Sequence, residues 1–162
     1  MDGINLPSVS IGKVIGFLEI LDDLGGRDDV FRAATALQME LDDILPVIEA
    51  AAVLGLIKVE KGDAWVTEEG RRFLDSDINQ RKRMICLRLE EIGLFKELVG
   101  ILRSRKNARI SRSAYASRVL KGLYSRDAAD LLHTMIDWGR YAELIGYNED
   151  SDEIYLDQPI TL

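Results

Sequence analysis

The sequence predicts a mainly α protein with small β wings, built as tandem winged helix-turn-helix units that share a long central helix. Three observations predict it. Helical periodicity fills most of the chain, a short hairpin signal stands late in each half, and the order of helices followed by a hairpin is met twice. The expected division is a lead or junction over 1–11, a first winged unit over 12–77, a connecting helix over 78–105, a second winged unit over 106–158 and a tail over 159–162.

In the first unit Val14, Phe17, Leu18 and Leu21 stand at the i, i+3, i+4, i+7 spacing of one helix face. The glycines of "LGG" end that helix, because glycine accepts the left-handed backbone that a helix C-terminus favours. "RDDVFRAATALQM" is a second, shorter helix whose acidic start meets the positive end of the helix dipole. In "LDDILPVIEAAAVLGLI", a third helix, Asp42 is the expected cap, Pro46 lies early, where its missing N–H costs least, and Gly55 closes the element. "LIKVEKGDAWVT" is a hairpin turning at "KGD", and "TEEGRRFLDSD" restarts a helix with Thr67 as N-cap and two glutamates in its first turn.

From Ile78 to about Arg105 the residues Ile85, Leu89, Ile92, Phe95, Val99 and Leu102 step by three or four, which predicts one long amphipathic helix. Gly93 and Gly100 each cost such a helix roughly 1 kcal/mol. A spacing near 3.5 suits lengthwise packing on another helix, so a homodimer is one expectation. Packing across both halves of the same chain is the other. The second unit follows, with "SRSAYASRVLKGLY" as a helix and "SRDAADLLHTMIDWG" as the next, Ser125 its cap and Gly139 its stop; "YAELIGY", "NEDSD" and "EIYL" then form a wing. Trp65, Tyr124, Trp138, Tyr141 and Tyr147, at helix ends and wings, are expected to close local cores rather than an interface.

A chain of 162 residues with 47% hydrophobic content can bury a sizeable core. Its single cysteine, Cys86, permits no internal disulfide and reads as a small buried hydrophobe in a reducing compartment. No apolar run approaches the roughly 20 residues of a membrane span, and "MDGINLPSVSIGKV" lacks the basic-then-apolar order of a signal peptide. The expectation is a cytoplasmic chain with no direct membrane insertion.

No catalytic or cofactor-binding constellation stands out. His133 is the only histidine and has no cysteine pair near it in sequence, so a tetrahedral zinc set cannot be drawn from His and Cys. The pattern GxxxxGK[ST] is absent, and "LGG" is a helix stop rather than a phosphate cradle. Asp22 and Asp23, Asp28 and Asp29, and Asp42 and Asp43 are adjacent pairs that diverge by about 100° on a helix, so they do not converge as an acid/base couple. "NEDSDE" lacks the glycine and the distant bidentate glutamate of an EF-hand loop.

The net charge of −7 conceals a segregation: residues 1–70 carry −9, residues 71–126 carry +10 and residues 127–162 carry −8. In a DNA-reading winged helix the third helix enters the major groove and the wing approaches phosphate, so both need basic or amide side chains. Here the third helix of the first unit has no basic residue, its counterpart has only Arg126 and Arg140 at its ends, and the second wing is "NEDSDE". Nucleic acid is therefore the less favoured partner. The candidate anion- or partner-binding cluster lies in the middle: Arg81, Lys82, Arg83, Arg103, Arg105, Lys106, Arg109, Arg112, Arg118 and Lys121, preceded by Arg71 and Arg72. Three uses compete for it: pairing with the acidic flanks or a second subunit, docking on an acidic protein, and nonspecific phosphate binding.

"LDDILPVIEAAAVLG", "EEGRRF", "DINQRK" and "IDWGRYAEL" resemble the C-terminal AAA-associated domain, which follows the nucleotide-binding domain in ATPase subunits of nitrate/sulfonate/bicarbonate-type ABC transporters and also occurs as separate chains. The likeness spans nearly the whole chain, and "LPSVSIG" looks like the family's junction segment. It implies a non-enzymatic regulatory or interaction module, with an ABC-type ATPase subunit as partner in cis or in trans and a cytoplasmic place peripheral to the inner face of the membrane through the transporter. The family brings no catalytic residues and no cofactor to carry over, and these residues contain no Walker or signature motif. The rival expectation is a transcription regulator that touches DNA through the basic middle.

Overall fold

A computed structural model describes residues 6–121 and 125–157; Tyr124, the side chains of Ser125, the expected cap, and Arg126, and the tail over 159–162 lie outside the described residues. Within them are eight helices and two three-stranded antiparallel sheets, so the mainly α class with small β elements holds. The chain divides into two compact units, Pro7–Met84 and Ile85–Leu162, the second also taking in Leu6.

The first unit runs α1 (Ile11–Asp23), β1 (Arg27–Asp29), α2 (Val30–Ala36), α3 (Leu41–Val53), β2 (Ile57–Glu60), β3 (Asp63–Val66) and α4 (Glu68–Leu74), followed by the start of α5 (Ile78–Leu89). Val14, Phe17, Leu18 and Leu21 are all fully buried, as their spacing predicts, and Ile44, Val47, Ala64 and Phe73 join them in the core. Gly25 and Gly26 take positive φ after α1, and the Gly26 N–H donates to the Leu21 carbonyl at 2.9 Å. Gly55, at φ +77, closes α3 in the same way. Thr67 caps α4 as expected: its hydroxyl oxygen accepts from the Gly70 N–H at 3.0 Å while its O–H donates to the Gly55 carbonyl at 2.6 Å. Lys61 and Gly62, both at positive φ, form the two-residue turn between β2 and β3.

Two local expectations are corrected. α3 begins at Leu41 with Glu40 in the cap position and no side-chain cap bond, so Asp42 and Asp43 lie inside its first turn. There they act on the dipole rather than as caps. Secondly, "RDD" is not the start of a helix but strand β1, which pairs with β3 through Arg27 opposite Trp65 and Asp29 opposite Asp63. Asp29 ends that strand and also caps α2, accepting from the Phe31 N–H at 2.8 Å.

The second unit contains the end of α5, then α6 (Gly93–Ser104), β4 (Arg109–Ser111), α7 (Arg112–Val119), α8 (Ser125–Tyr141), β5 (Ile145–Asn148) and β6 (Glu153–Leu156). Its sheet order β4-β6-β5 repeats the β1-β3-β2 order of the first unit. The repetition reaches single hydrogen bonds. Val66 N–H donates to Gly26 and Leu156 N–H to Ala108; Val30 N–H donates to Gly62 and Arg112 N–H to Asp152. Ser111 caps α7 as Asp29 caps α2, its hydroxyl oxygen accepting from the Ala114 N–H at 3.1 Å.

The single helix expected over 78–105 is two helices. α5 ends at Leu89, Glu91 and Ile92 close short turns onto Arg88 and Leu89, and Ile92 is extended at φ −82, ψ 127 before α6 starts at Gly93. Low helix propensity at Gly93 removes the resistance to a break there. After it the buried stripe is Leu94, Phe95, Leu98, Val99 and Leu102, two adjacent rows rather than the single seam the 3.5 spacing suggested. Gly139 is corrected too. It does not stop α8, which runs to Tyr141 before Glu143 takes the left-handed conformation. A Cβ at Gly139 would run into the Ile145 side chain, so the glycine is there for close approach of β5.

Candidate functional site

The ten basic candidates fall into unlike settings. Arg81 is structural: its guanidinium donates to the carbonyls of Phe73 at 2.9 Å and Leu74 at 3.0 Å, lies 4.9 Å from the Phe73 ring centre and reaches Glu19. It bonds two carbonyls of the last turn of α4, where the helical ladder ends, and the Phe73 carbonyl also accepts from the Ser76 N–H at 3.2 Å. Lys82 and Arg103 are engaged within the protein. Arg109 lies 5.2 Å from the Tyr155 ring centre and 3.9 Å from Glu153. Arg83, Arg105, Lys106, Arg118 and Lys121 are exposed and form no ion pair among the described residues. Arg81, Lys82 and Arg83 belong to the first unit and the other seven to the second. Arg112 lines a concave surface together with chemistry the charge pattern did not single out.

That surface is a groove of about 550 Å³ between α8 and the β5–β6 hairpin. Two strong local constraints build it. The α8 face is set by burial of Leu131, Leu132, Met135 and Trp138, which turns His133, Asp137, Arg140 and Tyr141 toward the groove on the i, i+4, i+7, i+8 positions. The hairpin brings Tyr147 and Glu149, and Arg112 enters from the start of α7.

Tyr147 is held in place. Its hydroxyl donates to the Asp152 carboxylate, and the Arg112 guanidinium lies 5.9 Å from its ring centre. The Asp152 bond pushes the phenol pKa above its usual value, with Arg112 opposing. Asp137 and Tyr141 are engaged within the protein. Arg140 and Glu149 are exposed, and neither forms an ion pair among the described residues. The groove thus offers unpaired charge of opposite sign on its two walls, between tyrosine rings.

A shallower cleft of about 420 Å³ lies between α7 and α8, with Ala116, Leu120, Ala128 and Leu132 inside and Lys121 at its edge. Cys86 is buried, as its apolar setting predicts, and His133 is exposed on α8. Among the described residues no group of three or more His, Cys, Asp or Glu is placed to hold a metal ion, and no helix is long and apolar enough to cross a membrane.

In the first unit the solvent face of α3 carries Asp42, Leu45 and Glu49 at i, i+3 and i+7. Leu45 is 47% exposed and Phe31 on α2 is 64% exposed. The face is acidic and apolar, the reverse of what phosphate requires. Residues 31–148, well over half of the chain, match the family model of the C-terminal AAA-associated domain. The chain belongs to that family. The AAA-associated domain is an accessory domain rather than a catalytic one, and its family is associated with ATPases. No curated protein and no solved structure matches the chain.

Charge counting along the AAA-associated chain did not point to the groove, because Arg140 and Glu149 lie in a segment of net −8 and cancel in any sum. A signal was present in the helical spacing of His133, Asp137 and Arg140, a polar stripe beside an otherwise buried helix.

Proposed function

We propose that this AAA-associated chain is a non-enzymatic regulatory and protein-interaction module, built as two winged helix-turn-helix units, that docks in cis or in trans on an ABC-type ATPase subunit of the nitrate/sulfonate/bicarbonate class. In that role it sits at the inner face of the membrane only through the transporter complex. The observation that carries the reading is the α3 face: Asp42, Leu45 and Glu49 stand where a DNA reader needs cations, on a chain of an ATPase-associated family. A partially apolar, acidic helix face suits polypeptide and repels phosphodiester. The element order and sheet order within each unit support the winged-helix reading, and the exposed Arg83, Arg105, Lys106, Arg118 and Lys121 supply further partner contacts.

Titration of the purified chain into the purified ATPase subunit of a transporter of this class from the same organism tests it. Saturable binding at low and moderate salt is expected, and no binding at either would overturn the reading. One rival has a specific observation in its favour, since those same five exposed cations suit a DNA-binding regulator. It requires duplex binding whose affinity falls steeply with added salt.

A further inference from the structure

Resting on the ATPase-docking reading, we infer that the groove between α8 and the β5–β6 hairpin is the cleft that receives a polypeptide segment of the ATPase, with a carboxylate of that segment against Arg140 and a basic group against Glu149. The argument starts from which groups are committed. Tyr147 is tied to Asp152, and Asp137 and Tyr141 are engaged within the protein, so these form walls. Arg140 on the helix wall and Glu149 on the hairpin wall remain as exposed charges without an ion pair among the described residues.

Opposite charges on facing walls discriminate between partners. A nucleic-acid strand presents negative charge in every direction, so any contact that satisfies Arg140 also presses phosphate toward Glu149, beside Asp150 and Asp152. A polypeptide differs, because neighbouring side chains can carry a carboxylate to one wall and a cation to the other. Tyr141 and Tyr147 supply rigid amphipathic surface at little entropic cost, and Ile136 gives the groove an apolar contact. The groove volume of about 550 Å³ accommodates a few side chains rather than a whole domain.

The test uses the full chain and the ATPase subunit. Arg140→Glu and Glu149→Lys are each expected to weaken binding by about tenfold or more, because each sets a charge against its like across the interface. Glu60→Lys, on exposed β2 of the first unit, is the control and leaves affinity unchanged. Circular dichroism and melting temperature of each variant, unchanged for these exposed positions, separate lost contact from lost folding. A photo-reactive phenylalanine analogue in place of Tyr141 should cross-link to the ATPase, and Arg140→Glu should lower the yield of that cross-link in step with the lost affinity.

Equal binding by wild type, Arg140→Glu and Glu149→Lys, with cross-linking from position 45 instead of 141, overturns the cleft and leaves the docking role standing. Absence of ATPase binding by the wild-type chain overturns both. Binding of a fluorescein-labelled 20-base-pair duplex that Arg140→Glu abolishes and Glu149→Lys strengthens would assign the groove to nucleic acid and reject the inference.

Discussion

The Arg27 guanidinium lies 3.9 Å from the centre of the Trp65 ring, directly across the β1–β3 pair. The same cation reaches Asp63 at 3.0 Å, and Lys58 approaches the ring at 5.3 Å. Arg109, Tyr155 and Glu153 occupy the equivalent places in the second unit, with looser distances of 5.2 Å and 3.9 Å. In both units a three-residue strand with few ladder bonds is tied to the hairpin by one arginine that bridges an aromatic face and a carboxylate.

Arg27→Ala is therefore expected to cost about 1 kcal/mol, the combined size of an exposed cation–π contact and a partly exposed ion pair. Arg109→Ala should cost less, because both of its contacts are longer. Urea melts of the two variants give the order. The Trp65 emission should also change in Arg27→Ala, whereas Trp138, fully buried in α8, supplies a constant background.

Glycine to alanine has opposite signs at two helical positions. Among the described residues, apart from its own stretch of helix backbone, nothing lies within 4 Å of the site of a Cβ added at Gly100, so Gly100→Ala should stabilise by about 1 kcal/mol through helix propensity. At Gly139 the same methyl collides with Ile145, and overpacking of about 1–3 kcal/mol outweighs that gain. Thermal unfolding should rise for the first variant and fall for the second.

These glycines show what was legible in the sequence. The α1 stripe, the Thr67 cap, the Lys61–Gly62 turn and the closing role of Gly55 are local rules, and each appears in the structure. Gly139 looked like a helix stop because composition says only that a glycine is needed; the need came from Ile145, six residues later, which is a tertiary fact. Strands β1 and β4 were missed for a related reason. Three residues carry no readable alternation, and their extended form is set by partners in β3 and β6 far along the chain. The helix break at Ile92 was hidden because the stripe before it continues into the rows after it. The basic segment was legible as charge but not as geometry, and so the sequence placed Arg81 with Arg83.

Those two arginines should part experimentally. Arg81→Ala removes the donors to the Phe73 and Leu74 carbonyls and is expected to cost about 1–2 kcal/mol. Arg83→Ala, at an exposed position, should stay within about 0.5 kcal/mol. If Arg83 is a partner contact, its removal weakens ATPase binding with the melting curve intact, whereas Arg81→Ala shifts the melting curve first.

Alkaline stability isolates a different buried group. Tyr115 is fully buried, and burial together with the charge of Glu97 holds its phenol pKa well above the usual value near 10. Among the described residues its hydroxyl donates to the Met135 sulfur, at 4.0 Å, and a thioether has no proton with which to stabilise a phenolate. Below pH 10 the phenol is neutral whether the chain is folded or not, and the group gives no pH dependence. Above it the unfolded phenol ionises while the folded one does not, so stability falls with rising pH by up to about 1.4 kcal/mol per unit. Tyr115→Phe should flatten the decline in unfolding free energy between pH 10 and 11.5, read by urea melts at each pH. An unchanged slope would mean that Tyr115 ionises as readily in the folded protein as in the unfolded chain.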